Sequence, residues 1–268
     1  MWKLRRVELL EETLKELGSV AVAFSGGVDS TFLLYVAIEA LGKENVMAIT
    51  VNATATPESD LEDAIDFMYD NEIKHEVIKF DQLSVEGFKE NKKDRCYICK
   101  KAMYTKIKEV ASENGFEHVI DGTNFDDWWD FIYDQRPGVK ALLELEIRLP
   151  LVNVELRKPD IRELSKYYDL ESAYKSSSPC LATRIKSGNA ITEDKLKMID
   201  EAEKYLDEKG FKQIRVRMID DDASVEVRRD HVDRLLEIQD EVKARLKEIG
   251  FEKVEIDSRG YYEGRMNG

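Results

Sequence analysis

No apolar run in the 268-residue sequence approaches the roughly 20 residues that a helix needs to cross a bilayer. The opening segment, Met1–Arg6, carries basic residues, but Glu8, Glu11 and Glu12 follow it where a secretory signal would have its apolar segment. The sequence therefore predicts a cytoplasmic protein with no membrane partner.

Cysteine and histidine are both scarce. The three cysteines are Cys96, Cys99 and Cys180, and an odd number in a reducing compartment argues against a disulfide framework. The three histidines lie far from the Cys96 and Cys99 pair and in no metal-ligand spacing, which disfavours zinc. Three roles remain for the cysteines: iron-sulfur binding, redox chemistry, or packing as small buried side chains.

Positive charge is in deficit. The 41 Lys and Arg residues face 55 Asp and Glu residues, which gives a formal net charge of -14. A surface of that sign disfavours long nucleic acid as a partner, because such binding depends on neutralising phosphates. The net charge does not exclude local basic pockets that bind small anions.

The first part of the chain alternates strands with helices. The apolar run Val20–Phe24 predicts a strand that is followed by a loop and a helix. Further strands are predicted at 46–51, 76–80 and 118–121, a helix at 95–114, an acidic aromatic loop at 126–130, and a helix-strand-helix unit at 139–168. Such alternation predicts an α/β fold with a Rossmann-like parallel sheet flanked by helices.

A small-residue break with proline, Ser176–Cys180, separates this part from a smaller α+β domain. We place the two domains at 1–170 and 171–268. The second contains predicted helices at 192–209 and 232–249 and predicted strands at 213–219, 224–228 and 253–257. Alternation along the first of these strands predicts that Arg215 and Arg217 lie on its exposed face.

The hexapeptide Ser25–Ser30, of sequence SGGVDS, stands between the first strand and its helix, where α/β sheets bind nucleotides. Gly26 and Gly27 let the backbone approach a phosphate, and the helix N-terminus attracts anions. The hydroxyls of Ser25 and Ser30 add donors, and Asp29 is a candidate to orient the loop or hold Mg²⁺. The hexapeptide lacks the Gly-Lys ending of Walker A and matches the PP-loop signature, which implies ATP cleavage to an adenylate and pyrophosphate.

Cys96 and Cys99 begin a predicted helix, and their spacing puts both sulfurs on one face. The neighbouring Arg95, Lys100 and Lys101 and the helix N-terminus favour the thiolate forms. Three thiolates would leave one iron of a 4Fe-4S cluster with an open position, where sulfide can bind. Lys101, with Mg²⁺, is a candidate to stabilise the negative transition state at the α-phosphate.

Seven segments together resemble the LarE family over nearly the whole chain: Ser25–Ser30, Cys96–Lys101, Asp121–Gly122, Arg136–Gly138, Ser178–Arg184, Arg215–Arg217 and Gly264–Asn267. LarE proteins adenylate pyridinium-3,5-biscarboxylic acid mononucleotide and convert its carboxylates to thiocarboxylates, in the biosynthesis of the nickel-pincer cofactor. The resemblance implies a PP-loop ATP-pyrophosphatase domain over 1–170, a substrate-binding and sulfur-transfer domain over 171–268, and a homo-oligomer, a hexamer.

The family has two branches, one that sacrifices a protein cysteine and one that uses a 4Fe-4S cluster. This chain carries the pair as well as Cys180, so the resemblance points to a cluster held by Cys96, Cys99 and Cys180. Sulfide, inorganic or from a donor, would then be the second substrate, with Cys180 at the site of transfer. The family pattern also places Glu203 near the reacting site. Taken by itself, a charged residue such as Glu203 in a charged helix predicts a solvated helix face.

The substrate's own phosphate calls for basic residues, and Arg184, Arg215 and Arg217 are the candidates. Three other functions remain open from the sequence. An amidating synthetase of the NAD synthetase type has a similar loop but no use for three cysteines. A tRNA thiolase is disfavoured by the net charge, and a nucleotide-binding regulator without turnover would release no pyrophosphate.

Overall fold

The computed structural model describes residues 2–133 and 136–261, which divide into two compact units. The first unit comprises the chain up to Ala53 together with Glu58–Asp81 and Asp94–Lys175. The second comprises Thr54–Pro57, Gln82–Lys93 and the chain from Ser176 onward. The segment Gly264–Asn267, which contributes to the resemblance, lies outside the described residues.

The first unit is built on four parallel strands in the order β3-β2-β1-β4, which confirms the predicted α/β class. Its elements in chain order are α1 (Trp2–Leu17), β1 (Val20–Ala23), α2 (Val28–Leu41), β2 (Val46–Ala53), α3 (Glu58–Asp70), β3 (His75–Phe80), α4 (Arg95–Glu113), β4 (His118–Asp121), α5 (Phe125–Ile132), α6 (Gly138–Glu144), α7 (Pro150–Asn153) and α8 (Lys158–Tyr167).

Both faces of this sheet are covered. Val20 and Val22 of β1 pack in one core with residues of α1, α2 and α8, whereas Ala21 and Ala23 pack in another with α4 and α6. Successive side chains of a strand point to opposite faces, so a strand buried on both sides is apolar throughout, as β1 is. This packing fixes the carboxyl ends of the strands, where the loop lies.

Two predictions for the first unit were wrong. The acidic aromatic segment forms α5, because Asn124 caps it: its side chain accepts hydrogen bonds from the Asp126 and Asp127 amides. The strand predicted within 139–168 is absent from the described residues, which have only a single bridge there, between Ile120 and Arg148.

The second unit carries a three-stranded sheet in the order β5-β6-β7. Its elements are α9 (Glu193–Glu208), β5 (Arg215–Ile219), β6 (Asp222–Glu226), α10 (Val232–Glu237), α11 (Gln239–Ile249) and β7 (Val254–Ile256). Strands β5 and β6 are antiparallel, and β6 and β7 are parallel. The helix predicted at 232–249 is divided at Ile238, which lies between α10 and α11.

The prediction of an exposed arginine face on β5 was also wrong. Arg215 and Arg217 are only 5% and 9% exposed, because the segment from Ser177 to Thr183 of the same unit accepts hydrogen bonds from both guanidinium groups. Among the described residues, no helix is long and apolar enough to span a bilayer.

Candidate active site

The loop Ser25–Ser30 connects the end of β1 to the start of α2. Gly26 has φ +69° and lies so close to α3 that an added Cβ would sit 3.3 Å from the Cβ of Ala64. The Ser30 hydroxyl is 3.1 Å from both the Ser25 hydroxyl and the Gly27 carbonyl oxygen. Glycine is needed at position 26, since the left-handed region strains other residues, and the serine hydroxyls brace the turn.

The end of β4 lies directly beside the loop. Asp121 is in register with Ala23, the last residue of β1. A Cβ on Gly122 would be 2.9 Å from the Ser30 amide nitrogen and 3.1 Å from the Ser30 Cα. Only a glycine allows the two backbones to approach this closely, so Gly122 shapes the floor of the loop.

Asp29 forms an ion pair in the first turn of α2. Its Oδ2 accepts a hydrogen bond from Lys158 Nζ at 2.5 Å, and its Oδ1 is buried without a hydrogen-bond partner among the described atoms. Burial raises the pKa of Asp29 above its ordinary value, against the opposing charge of Lys158. The backbone of Lys158 is itself held, because its amide donates to Asp126 Oδ2 at 2.9 Å.

A second lysine reaches the loop from the end of the first unit. Lys175 Nζ donates to the Gly26 carbonyl at 3.3 Å and pairs with Asp63 Oδ2 of α3 at 2.8 Å. Gly26, Asp63 and Lys175 also line a cavity of about 590 Å³ beside the loop, whose walls come from α2, α3 and residues 169–175. The loop is therefore bordered by two ammonium groups, each facing a carboxylate.

Asp121 is buried at the carboxyl end of the sheet. It accepts hydrogen bonds from the Thr123 amide at 2.7 Å and from the Thr123 and Tyr104 hydroxyls. Burial alone would raise the pKa of Asp121, but the charge of Lys100 and these donors hold it below its ordinary value. Burial and the neighbouring Asp121 raise the pKa of Tyr104, so this carboxylate stays ionised and the phenol neutral.

Cys96 and Cys99 lie in the first turns of α4. Cys96 is exposed and Cys99 is buried. Arg95 Nη2 lies 3.8 Å from the Cys96 sulfur. Lys101 points instead to the surface, where its ammonium donates to Glu144 at 2.7 Å and to the Tyr97 hydroxyl at 3.1 Å, contacts that raise its pKa to about 12.

Cys180 belongs to the second unit and precedes a short 3-10 turn, Leu181–Arg184. Its carbonyl oxygen accepts from the Thr183 hydroxyl at 2.8 Å and from Arg184 Nη1 at 3.3 Å. Arg184 is 1% exposed and binds Glu203 bidentately, through Nε at 2.9 Å and Nη2 at 2.8 Å. The turn that carries Cys180 is thus held by a buried guanidinium group.

The three arginines Arg184, Arg215 and Arg217 form what we call the arginine cluster. Arg215 donates to the Ser177 and Ile214 carbonyls at 2.6 Å each. Arg217 pairs with the buried Glu226 at 3.4 Å and donates to the Thr183 carbonyl at 3.3 Å. Burial and the charge of Arg184 lower the pKa of Arg215. Carboxylate or carbonyl oxygens of the same unit therefore accept hydrogen bonds from all three guanidinium groups.

Sequence-predicted site residues therefore fall into two groups. The loop residues and the pair Cys96 and Cys99 lie in the first unit, whereas Cys180, Glu203 and the arginine cluster lie in the second. Glu203 is a partner of Arg184 and of the Val216 amide rather than part of a solvated face. Within residues 2–133 and 136–261, no three His, Cys, Asp or Glu side chains converge as a metal site.

Lys158 and Lys175 were missed by the sequence analysis. Each lies more than 120 residues from the loop residue it contacts, and neither stands in a motif that marks a nucleotide ligand. The only local sign was Pro159, which marks the first turn of α8 and so the position of Lys158 at a helix start.

The chain is similar to proteins of two kinds. A family model described as NAD synthase matches residues 4–122. The uncharacterized protein slr1717 of Synechocystis sp. is 33% identical over 98% of this chain and 97% of its own. The uncharacterized protein MJ0830 of Methanocaldococcus jannaschii is 29% identical over 96% of this chain and 98% of its own.

A relative of named activity is matched over a similar extent. The pyridinium-3,5-bisthiocarboxylic acid mononucleotide synthase of Lactiplantibacillus plantarum is 33% identical over 258 residues, 96% of this chain and 92% of that protein. The NAD synthase match stops within the first unit, whereas this one extends through both. The chain therefore belongs to the LarE family of ATP-using sulfurtransferases.

Proposed function

We propose that the protein adenylates the carboxylates of pyridinium-3,5-biscarboxylic acid mononucleotide and converts them to thiocarboxylates, in nickel-pincer cofactor biosynthesis. The observation that carries this proposal is the match over 96% of the chain to a synthase whose name states that product. The glycine loop at the end of β1 supports the ATP-dependent half of the reaction.

In the first half-reaction, a substrate carboxylate oxygen attacks the α-phosphorus of ATP and pyrophosphate leaves. The backbone amides of Ser25–Ser30 and the start of α2 are proposed to bind the pyrophosphate, with Ser25, Gly26, Gly27 and Ser30 in contact with it. Asp29 is the proposed Mg²⁺ ligand, because its half-buried carboxylate lies in the first turn of α2, beside the loop.

In the second half-reaction, sulfide attacks the acyl carbon and AMP leaves, so the carboxylate becomes a thiocarboxylate. Adenylation is needed because oxide is a very poor leaving group. The arginine cluster is proposed to bind the phosphate of the mononucleotide, since the planar guanidinium group can bind phosphate bidentately. Glu203 orients Arg184, and Lys101 is proposed to stabilise the charge that develops on the α-phosphate.

The donors present fit an iron-sulfur cluster in their chemistry. Cys96 and Cys99 are one helical turn apart on α4, and Arg95 lies beside the Cys96 sulfur. We propose that these two cysteines and Cys180 hold a 4Fe-4S cluster. Such a cluster would supply an iron with an open position at which sulfide binds. The role of the chain is then to keep the thiolates ionised and to deliver the activated carboxylate.

Pyrophosphate release tests this proposal. The protein is incubated anaerobically with MgATP, with and without the pyridinium substrate, and the products are analysed by mass spectrometry. We expect pyrophosphate to appear only with the substrate, and the mass of the product to rise by the replacement of oxygen by sulfur when sulfide is added. Substrate-independent ATP turnover, or none at all, would contradict the proposal.

Cysteine variants separate the two sources of sulfur. Iron and acid-labile sulfide are measured after anaerobic purification, together with turnover of Cys96→Ala, Cys99→Ala and Cys180→Ala. All three variants should lose the cluster and multiple turnover while keeping ATP binding. If Cys180→Ala alone is inactive and no iron is bound, the protein sacrifices Cys180 instead.

Lys101 offers a cleaner test of a catalytic role, because it lies on the surface. Its side chain is 48% exposed, so Lys101→Met should leave the unfolding midpoint nearly unchanged. We expect adenylation to slow sharply while ATP binding persists. Lys106→Met, which removes another surface ion pair of α4, is the matched control and should retain full turnover.

Amidation is the second candidate function, and the NAD synthase match to residues 4–122 favours it. Ammonia would then take the place of sulfide as the attacking nucleophile. Supplying ammonium and sulfide in competition decides between the two, because an amide and a thiocarboxylate differ in mass.

A further inference from the structure

The cavity of about 590 Å³ beside the loop is lined entirely by residues of the first unit. We call it the acidic cavity. Its walls come mainly from one side of α2, one side of α3 and residues 169–175. Its volume is within the range of cavities that bind small molecules, so its lining indicates the kind of molecule that fits.

Negative charge dominates this lining. Six carboxylates stand against two ammonium groups, which belong to Lys43 and Lys175. Lys175 pairs with Asp63 at 2.8 Å, and Lys43 donates to the Asn71 carbonyl at 2.6 Å. For the part of the chain that the structure describes, no salt bridge neutralises the other five carboxylates. The six are Glu39, Asp63, Asp66, Asp70, Asp169 and Glu171.

The carboxylates of α3 form a line along the cavity. Asp63, Asp66 and Asp70 are three and four residues apart, which places them on one face of the helix with roughly 5–6 Å between neighbouring Cβ atoms. No three His, Cys, Asp or Glu side chains of the described residues converge as a metal site. The spacing therefore suits an extended ligand with several separated positive charges better than one compact metal ion.

Apolar groups fill the lining between the carboxylates. Leu34, Ile38 and Leu170 contribute aliphatic surface, and Tyr35 and Phe67 contribute aromatic rings. Methylene groups of a ligand gain free energy by packing on such surfaces, and an ammonium group is attracted to the face of an aromatic ring. The lining is thus suited to a molecule that alternates apolar segments with positive charges.

A hydroxyl group in the lining has no partner. Ser172 is only 6% exposed, and among the described atoms its Oγ is buried without a hydrogen bond. Its backbone is engaged, because its carbonyl accepts from the Lys175 amide at 3.1 Å. A buried hydroxyl without a partner costs stability, and an ammonium group is a donor that this oxygen can accept from.

We propose that the acidic cavity is a binding site for a linear aliphatic polyamine. The ammonium groups of the polyamine pair with the carboxylates of α3, its methylene groups pack on the apolar lining, and one ammonium donates to Ser172 Oγ. Binding also relieves the repulsion between like charges on one face of α3. The inference does not depend on the activity proposed above, since none of these contacts involves the loop.

Calorimetric titration of the full-length protein with spermidine tests the proposal. At physiological ionic strength, where exposed charges more than about 8 Å apart are largely screened, we expect one molecule to bind per chain. Butylamine, which carries a single ammonium group, should bind about ten-fold more weakly or worse, because it loses the other ion pairs. Magnesium chloride at the same ionic strength should not displace spermidine.

Asp66→Asn combined with Asp70→Asn removes two carboxylates from the cavity. Spermidine should bind this variant about ten-fold more weakly, whereas the thermal midpoint of the free protein should stay the same or rise, since like charges are removed. Glu109→Gln combined with Glu113→Gln is the matched control. It removes the same charge from exposed positions of α4 that do not line the cavity, and it should bind spermidine as the wild type does.

Ser172→Ala tests the cavity without a change of charge. We expect about five-fold weaker binding of spermidine and no loss of stability in the free protein, because the deleted hydroxyl makes no hydrogen bond among the described atoms. Wild-type affinity in the Asp66 and Asp70 variant, equal weakening in the Glu109 and Glu113 variant, or Mg²⁺ binding as tight as that of spermidine would overturn the proposal.

Discussion

The loop of the first unit and the arginine cluster of the second are built from different parts of the chain. The loop is mostly backbone: two glycines, the amides at the start of α2, and a close approach by Gly122. The arginine cluster is made of long side chains, and Arg184, Arg215 and Arg217 are each at least nine-tenths buried. The loop depends on close backbone packing, whereas the arginine cluster depends on paired charges.

This difference predicts different responses to mutation. A backbone site is damaged by adding atoms, since its donors are always present and only their access can be lost. A site of buried ion pairs is damaged by removing atoms, because the remaining charge is left without compensation in a low-dielectric interior.

Removal of Arg184 should have the largest effect. Arg184→Met leaves Glu203 without its bidentate partner and removes one hydrogen bond from each of the Pro179 and Cys180 carbonyls. Breaking a buried pair of this kind costs about 3–5 kcal/mol of unfolding free energy. Urea denaturation followed by circular dichroism measures the loss.

Two controls test whether burial of the ion pair sets this loss of unfolding free energy. Arg245→Met removes an exposed pair with Glu201 in the same unit and should cost less than about 1 kcal/mol. The double variant Arg184→Met with Glu203→Gln should be less destabilised than the sum of the single variants, because no charge is then left alone. Equal losses for Arg184→Met and Arg245→Met would show that burial does not set the cost.

Adding one methyl group to the floor of the loop should have the next largest effect. The Cβ of Gly122→Ala would lie 2.9 Å from the Ser30 amide nitrogen, so the loop backbone must move. Overpacking of this kind costs about 1–3 kcal/mol, which corresponds to roughly five- to 150-fold weaker nucleotide binding if the bound loop is what is strained. Titration with ATP by calorimetry measures it.

Gly115→Ala is the matched control for Gly122→Ala. Gly115 has φ +84° but no atom within 4 Å of an added Cβ, so the substitution strains the backbone without touching the loop. It should lower stability slightly and leave nucleotide affinity unchanged. Undiminished affinity in Gly122→Ala would mean that the loop has room that the structure does not show.

The same contrast explains what the sequence could predict. The loop, its strand and its helix are contiguous, so short-range signals were enough to place Ser25–Ser30 at the end of β1. The capping signal of α5 is also local, because Asn124 and Asp127 stand at the cap and third positions, but the acidic and aromatic residues at 126–130 resemble a loop.

The burial of the arginine cluster could not be predicted in this way. Arginines at alternate positions of β5 resemble a solvated strand face, and only carbonyl groups from Ser177 and Thr183, more than 30 residues earlier, bury them. Lys158 and Lys175 reach the loop across still longer separations. Alternation within a strand identifies its two faces but does not show which segment covers each.

The smallest predicted difference between the two units is in how their stability responds to pH. Beneath the loop, His75 Nε2 lies 2.8 Å from the Thr50 hydroxyl, which donates to the Phe24 carbonyl at 3.0 Å. Burial lowers the pKa of His75 below its ordinary value of 6.5, against the opposing charge of Glu76. The arginines of the second unit carry their charge throughout the neutral range.

The sign follows from the linkage between proton binding and folding. Since the folded state holds His75 neutral while the unfolded chain binds a proton near pH 6.5, stability is lost as the pH falls below that value. Hydrogen exchange at pH 7.5 and 5.5 should show faster opening of β2 and β3 at the lower pH, and His75→Gln should remove the part due to this residue. His118→Gln, at the start of β4, is the control and should keep the wild-type response. If the strands of the second unit opened equally with falling pH, the contrast between a loop supported by a neutral network and a cluster held by permanent charges would fail.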